Sequence, residues 1–422
     1  MQHVIIGAGP AGVIAAEHLR KLDPASDVTI IGDEPEAPYS RMAIPYFLID
    51  KIEERGTFLR KSVGHYDDHR VNVMQDRVTA INSDSNTLTL RGGGTQSYDR
   101  LLIATGSRPV SPPIPGMDLP GVHTCWTLAD SRHIVELAKP GSKVVLMGAG
   151  FIGCIILEAL ASRGVDLTVV EMENRMVPRM MDEDSGGLIK RWCESKGVTV
   201  LTSTRVAGVE KGKETALAIS LENGDTLPAD LLISATGVTP CTDFLQGSGI
   251  EIDHGILVDH HLRTNVSNIF AAGDVAQGRD FSTGGYSVQA IQPTAVEHGR
   301  ICANNMVDGN EITHGGSINM NILDTMGLIS GSFGMWEGTD DGDTTELSDH
   351  GRYRYLRLNF QDDVLVGANS LGLTQHIGVL RGLIQSKLHL GAWKARLMDD
   401  PTQIMPAYLA ATQGMGSTTK VQ

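Results

Sequence analysis

The chain has 422 residues, 48 of them glycine, with 5% aromatics and a formal net charge of -15. That length calls for two or three domains, and the acidic balance excludes a nucleic-acid binder, which needs a basic face. Five cysteines, at positions 125, 154, 193, 241 and 302, form no CxxC pair and no Cys/His metal spacing, so buried free thiols in a reducing cytoplasm and no metal site are expected. The first strand follows Met1 directly and no apolar run reaches about 18 residues, so the reading is a cytoplasmic protein without a signal peptide or integral membrane segment.

Residues 3–12 read HVIIGAGPAG, an apolar strand, then Gly7, Gly9, Pro10, Ala11 and Gly12, then a helix-forming run. In this spacing Gly7 permits the tight turn, Gly9 lets the backbone approach a pyrophosphate, and Gly12 lets the helix pack on the strand. The N–H groups of the helix start then face the phosphates. Residues 28–31 form the next strand, and Asp33 or Glu34 after it supplies the acid that holds a ribose hydroxyl. Residues 38–48 read as a turn into a short helix. Residues 71–73 and 77–90 read as strand pieces broken by a turn at 82–86. Residues 98–109 are a buried strand that ends in the Ala104-Thr105-Gly106 turn, and the proline-rich 109–116 reads as a connector.

The opening pattern then repeats. Residues 143–153 read KVVLMGAGFIG, again a strand, Gly148, Gly150 and Gly153, with Phe151 and Ile152 opening a helix. Residues 165–170 are its second strand, closed by Glu171, and Ala235-Thr236-Gly237 repeats the earlier turn. Two dinucleotide cradles in one chain imply two dinucleotides with electrons moving between them. A short apolar strand ending in Gly273-Asp274 and a helix over 294–306 follow. Beyond them, strands at 328–333, 353–360 and 364–368 and helices at 374–388 and 391–398 read as an α+β region. The acidic run Glu337, Asp340, Asp341, Asp343, Glu346 reads as a solvated loop.

In these motifs the chain resembles the FAD-dependent pyridine nucleotide-disulfide oxidoreductase superfamily. The branch is that of NADH-dependent rubredoxin and ferredoxin reductases and the flavin module of the nitrite reductase large subunit. The resemblance implies an α/β fold of two Rossmann-like domains plus a C-terminal α+β domain. It implies an FAD-binding domain from 1–111 and 246–315, an NAD(P)H-binding domain from 112–245, and an interface domain from 316–422. For FAD it implies Gly7, Gly9, Pro10, Ala11, Gly12, Asp33 or Glu34, Arg41, Ala104, Thr105 and Gly106. Gly273 and Asp274 belong at the ribityl chain, and Thr294 and Ala295 open the helix aimed at the flavin. For NAD(P)H it implies Gly148, Gly150, Phe151, Ile152, Gly153, Glu171, Ala235, Thr236 and Gly237. Glu171 favours NADH by repelling a 2′-phosphate, while the nearby Arg175 keeps NADPH open.

Two departures shape the expected chemistry. Ile155 stands where relatives commonly carry a glutamate near the nicotinamide, and Met42 stands where thiol-dependent relatives carry a redox cysteine. A thioether is no thiolate nucleophile, so Met42 reads as core or flavin-side packing. Flavin-only electron transfer remains: hydride from NADH, or NADPH, to FAD, then single electrons to an electron-carrier protein or redox subunit, with no catalytic side chain. The alternatives are a hydrogen-peroxide-forming NADH oxidase, a non-catalytic flavoprotein subunit of a larger complex, and a disulfide or polysulfide reductase using an unusual cysteine. A homodimer through the C-terminal domain, with Trp336 and Trp393 at its interface, completes the expectations.

Overall fold

A computed structural model describes residues 1–416. Two compact units are present: 1–109 with 238–317, and 110–237 with 318–422. The fold is α/β, with two Rossmann-like parallel sheets and a C-terminal antiparallel sheet backed by helices.

The first unit is built around the strand Gln2–Ile6, buried at every position from His3 onward. It lies at the centre of a parallel sheet ordered Ile269–Ala271, Arg100–Ile103, Gln2–Ile6, Asp27–Gly32, Val71–Gln75. A strand covered on both faces needs a continuous apolar run, which the segment VII provides. The chain leaves this strand at Gly7, whose φ of +114° admits only glycine without strain, and enters the helix Pro10–Leu22. A Cβ on Gly12 would lie 2.1 Å from the Gly7 carbonyl oxygen, so helix and strand approach as closely as backbone allows.

That helix is pinned by Glu17, which accepts two hydrogen bonds of 2.5 Å from Arg60 and one of 2.9 Å from His65. Burial pushes the Glu17 carboxyl up, and the Arg60 and His65 bonds outweigh it, leaving a net depression below the ordinary value of 4.5. A carboxylate with a depressed folded pKa stabilises above its unfolded value and loses that contribution as pH falls through the folded one. Glu17→Gln is therefore expected to lower stability by about 1–3 kcal/mol at neutral pH. It should also flatten the fall in melting temperature between about pH 5 and pH 3. Melting curves of both proteins across that range check it; parallel pH profiles would contradict the assignment.

The second unit repeats the plan. Its parallel sheet runs Thr199–Leu201, Asp166–Val170, Lys143–Met147, Leu231–Ser234, Val122–Thr124. Gly148, at φ +102°, turns the chain into the helix Phe151–Ser162. The register recurs: Gly7 N–H donates to Ile31 O and Gly148 N–H to Val170 O, each at 2.8 Å.

Residues 318 onward form the antiparallel sheet Met320–Thr325, Leu328–Gly334, Val364–Leu371, Arg354–Gln361, Asp343–Asp349. The helices Ile377–Ser386, Ala392–Asp399 and Ile404–Gly416 follow. Within the unit this sheet is tied to the segment after Glu171 and the helix Glu183–Ser195. Tyr355 donates to Asp182, Asn369 donates to the Met180 carbonyl at 2.8 Å, and the Trp192 indole donates to the Thr325 carbonyl at 3.1 Å. Three readings change here. The acidic run is a loop only in part, because Asp343 and Glu346 lie on an edge strand with Glu346 opposite Arg357. Trp336 is buried within the chain, so it offers no surface for a dimer. Met42 is 48% exposed, which rules out a core role.

Candidate dinucleotide sites

The first cradle gathers residues far apart in sequence. A Cβ on Gly7 would lie 2.1 Å from the Ala104 carbonyl oxygen, so the Ala104-Thr105-Gly106 turn closes over the glycine loop. Thr105 Oγ1 donates to the Cys241 carbonyl at 3.0 Å. Ala11, Gly273 and Ala295 meet: a Cβ on Gly273 would lie 3.4 Å from the Ala295 Cβ and 3.5 Å from the Ala11 Cβ. Thr294 and Ala295 lie in the first turn of the helix Gln292–Asn305, which starts two residues before Thr294. Asp274 accepts from Ser107 Oγ at 2.9 Å. Burial pushes the Asp274 carboxyl up, against the Ser107 hydrogen bond and the Arg41 charge.

Glu34 and Asp33 part company. Glu34 accepts from the Tyr39 hydroxyl at 2.5 Å and from Arg41 at 2.7 Å, and Arg41 also donates to the Tyr39 oxygen at 2.8 Å. Asp33 is more exposed and pairs with Arg77 at 2.8 Å. Arg41 is thus held in a half-buried network rather than solvated, and Tyr39, which sequence reasoning assigned no role, is part of it.

The second cradle has the same form. Cβ atoms on Gly148 and Gly153 would lie 2.6 Å from the Ala235 oxygen and 2.1 Å from the Gly148 oxygen. The Val110 N–H donates to the Gly237 carbonyl at 2.9 Å, and Thr236 Oγ1 lies 3.5 Å from the Val110 carbonyl. Phe151, Ile152 and Ile155 are half-buried on the helix. Glu171 is 5% exposed, and its carboxylate accepts from the Ala149 N–H at 2.6 Å and the Glu173 N–H at 2.8 Å. A buried carboxylate needs such donors, and here they brace the glycine loop itself. Arg175 donates to the carbonyls of Met181 and Pro178 and to Asn174, a set of contacts that holds it against its own loop.

Both cradles fit a dinucleotide on two counts. A Cβ on Gly9 or Gly150 would have nothing within 4 Å, so open space lies where a pyrophosphate approaches, while the flanking glycines are hemmed in by backbone. The helices that begin at Pro10, Phe151 and Gln292 also have no side-chain cap. Leu128–Leu137 carries a Thr127/Asp130 capping box and Glu183–Ser195 an Asp182 cap. Ile377–Ser386 and Ala392–Asp399 also lack a cap, so the missing cap agrees with an anion at the cradles and the open central glycine distinguishes them. Uncapped N–H groups at a helix start, with its positive dipole end, suit an anionic ligand.

Thiol chemistry finds little support. Burial pushes all five cysteines above the ordinary value: Cys125 and Cys193 to about 12, and Cys154, Cys241 and Cys302 in the same direction. Cys154, in the second glycine turn, is fully buried with its thiol toward the Ala149 carbonyl at 3.5 Å. No group of three or more metal-ligating side chains occurs among the described residues, and none of their helices is long and apolar enough to cross a membrane.

Residues 1–299 match the family model described as pyridine nucleotide-disulphide oxidoreductase. The chain is 31% identical over 405 residues, 96% of each chain, to subunit epsilon of NADH-dependent phenylglyoxylate dehydrogenase from Aromatoleum evansii. It is 33% identical over 277 residues to rhodocoxin reductase from Rhodococcus erythropolis, 65% of each chain. Among solved structures it resembles an NAD-dependent persulfide reductase from A. fulgidus, with a TM-score of 0.86 at 27% identity, covering 93% of this chain and 78% of that one.

Proposed function

The chain belongs to the pyridine nucleotide-disulphide oxidoreductase family, whose members are FAD-containing, NAD(P)H-dependent oxidoreductases, and on that footing we propose that it exchanges electrons between NADH and a protein redox partner. FAD, when bound, accepts hydride and releases electrons one at a time, which no side chain here does.

The observation that carries this reading is the twin cradle, each with an open central glycine and an uncapped helix start. Gly7, Gly9, Pro10, Ala11 and Gly12 hold the FAD pyrophosphate. The Ala104-Thr105-Gly106 turn supports that loop, and Glu34, already oriented by Tyr39 and Arg41, takes the adenosine ribose. Gly273 and Asp274 take the ribityl chain, and the helix start at Thr294 and Ala295 stabilises negative charge on the reduced cofactor. Gly148, Gly150, Phe151, Ile152 and Gly153 take the NADH pyrophosphate beside Ala235, Thr236 and Gly237. Glu171 sets the preference for NADH, and the tethering of Arg175 to its own loop supports that preference over NADPH. The unit 1–109 with 238–317 is then the FAD unit, and 110–237 is the NADH part of the other.

Five raised thiols and Met42 in place of a cysteine favour transfer without a sulfur intermediate. The relative aligned over 96% of both chains is by name a subunit, which favours a partner subunit over a freely diffusing carrier. A cytoplasmic location, where NADH is made and thiols stay reduced, and a homodimer through the C-terminal sheet and helices belong to the same reading.

Stopped-flow mixing of the purified flavoprotein with NADH tests it: the flavin absorbance should bleach, and NADPH should act more slowly. An absorbance unmoved by either nucleotide would sink the proposal. Rapid oxygen consumption with peroxide release, and no gain on adding a carrier protein, would favour the oxidase instead.

A further inference from the structure

His298 is a buried histidine that neither cradle motif contains. It is 3% exposed, in the middle of the helix Gln292–Asn305. The Gly273 N–H donates to its Nδ1 at 3.3 Å, and its Nε2 lies 3.1 Å from Ser317 Oγ. A ring nitrogen that accepts from a peptide N–H carries no proton, so the neutral ring holds its proton on Nε2 and donates it to Ser317. His314 packs edge-on against the ring with centroids 4.8 Å apart. Burial pushes the His298 pKa down to about 3, and His314 adds to that, in keeping with a neutral imidazole.

The contact matters because of what it joins. Gly273 sits at φ +75° between the strand Ile269–Ala271 and Asp274, and its conformation sets where the Asp274 carboxylate lies. One residue past His298, a Cβ on Gly299 would lie 2.5 Å from the Ala11 carbonyl oxygen, so the same helix rests directly on the first cradle. At its start, Ser40 Oγ donates to Gln292 Oε1 at 2.6 Å, beside Arg41. The imidazole therefore fastens one helix to the Gly273-Asp274 turn where the turn, the helix and Ala11 converge.

We propose that His298 is a positioning residue of the first cradle, holding the Gly273-Asp274 turn in its ligand-binding shape through the Gly273 N–H···Nδ1 bond. The proposal rests on the reading of that cradle as the FAD site. Removing the acceptor leaves a buried peptide N–H without a partner and frees the turn, which should weaken FAD affinity roughly tenfold to a hundredfold.

The test compares His298→Leu, His298→Asn and His298→Gln, using flavin dissociation measured by fluorescence on the full-length protein. Asparagine places an oxygen where Nδ1 stood, whereas glutamine reaches the Nε2 position and Ser317. Leucine and glutamine are expected to lose the affinity stated above, and asparagine to stay within about threefold of wild type. ADP-ribose affinity at the second cradle should be the same in all four proteins, while far-ultraviolet circular dichroism and resistance to limited proteolysis report that the first unit of each variant is folded. Leucine as tight as wild type, or glutamine restoring affinity where asparagine does not, would overturn the proposal while leaving the FAD reading in place. A wild-type protein that binds no FAD would remove both together. If leucine does not fold, the asparagine and glutamine pair alone decides.

Discussion

Gly7→Ala is expected to yield protein without flavin and close to unfolding. The added Cβ would lie 2.1 Å from the Ala104 carbonyl oxygen, a backbone atom with no rotamer to move out of the way. The residue would also have to keep φ at +114°, where an L side chain is strained. Strain of that kind costs about 1–3 kcal/mol, and overpacking of a rigid neighbour about as much again. A combined loss near 4 kcal/mol is a large part of a domain's usual 5–15 kcal/mol. Thermal melting and the flavin absorbance of the purified variant check this. A yellow protein melting within about 2 °C of wild type would contradict the geometry of the turn.

Gly150→Val should do the opposite to the fold and nearly as much to the function. A Cβ there meets nothing within 4 Å, and the residue's φ of -73° suits any side chain, so the second sheet should form normally. The valine methyl groups would fill the space that a pyrophosphate needs. Flavin should be retained with an unchanged spectrum, while the rate of bleaching at sub-saturating NADH falls at least about a hundredfold, a loss near 2.7 kcal/mol of binding. Bleaching within a few fold of wild type would mean that NADH binds elsewhere. The two glycines differ both in backbone conformation and in what a Cβ would meet, and paired measurement separates a structural requirement from a ligand requirement.

Much of this architecture is legible in the sequence because its determinants are local. The spacing of Gly7, Gly9 and Gly12 is a pattern contained within six residues, although the backbone that crowds Gly7 belongs to the distant Ala104, and the apolar runs VII and VVLM announce buried strands. The repeat at Gly148 to Gly153 follows from the same local rules. Less legible are features made by distant partners. Nothing local separates Glu34 from Asp33; the difference arises because Tyr39 and Arg41 fold back onto one and Arg77 onto the other. His298 lies in an ordinary helix, and only its meeting with Gly273 and Ser317 gives it a part. The strand Asp343–Asp349 reads as loop because an edge strand keeps few apolar positions; of its seven residues only Thr345 is buried. The helix Ile404–Gly416 hides for the opposite reason, since a nearly continuous apolar run shows no helical period.

The order in which the units are spelled out along the chain bears on how the protein is made. Every strand of the second parallel sheet falls between residues 122 and 234, whereas the first sheet waits for Ile269–Ala271 to take its place beside Arg100–Ile103. As a ribosome delivers the chain, the later-numbered sheet is complete first, and the earlier-numbered one stays open at the Arg100–Ile103 edge until Ile269–Ala271 emerges. On the proposed assignment of the first cradle to FAD, flavin capture is a closing event, timed by emergence of Gly273, Asp274 and the helix behind them. A nascent chain stalled before residue 269 should hold a nucleotide at Gly148 to Gly153 and none at Gly7 to Gly12.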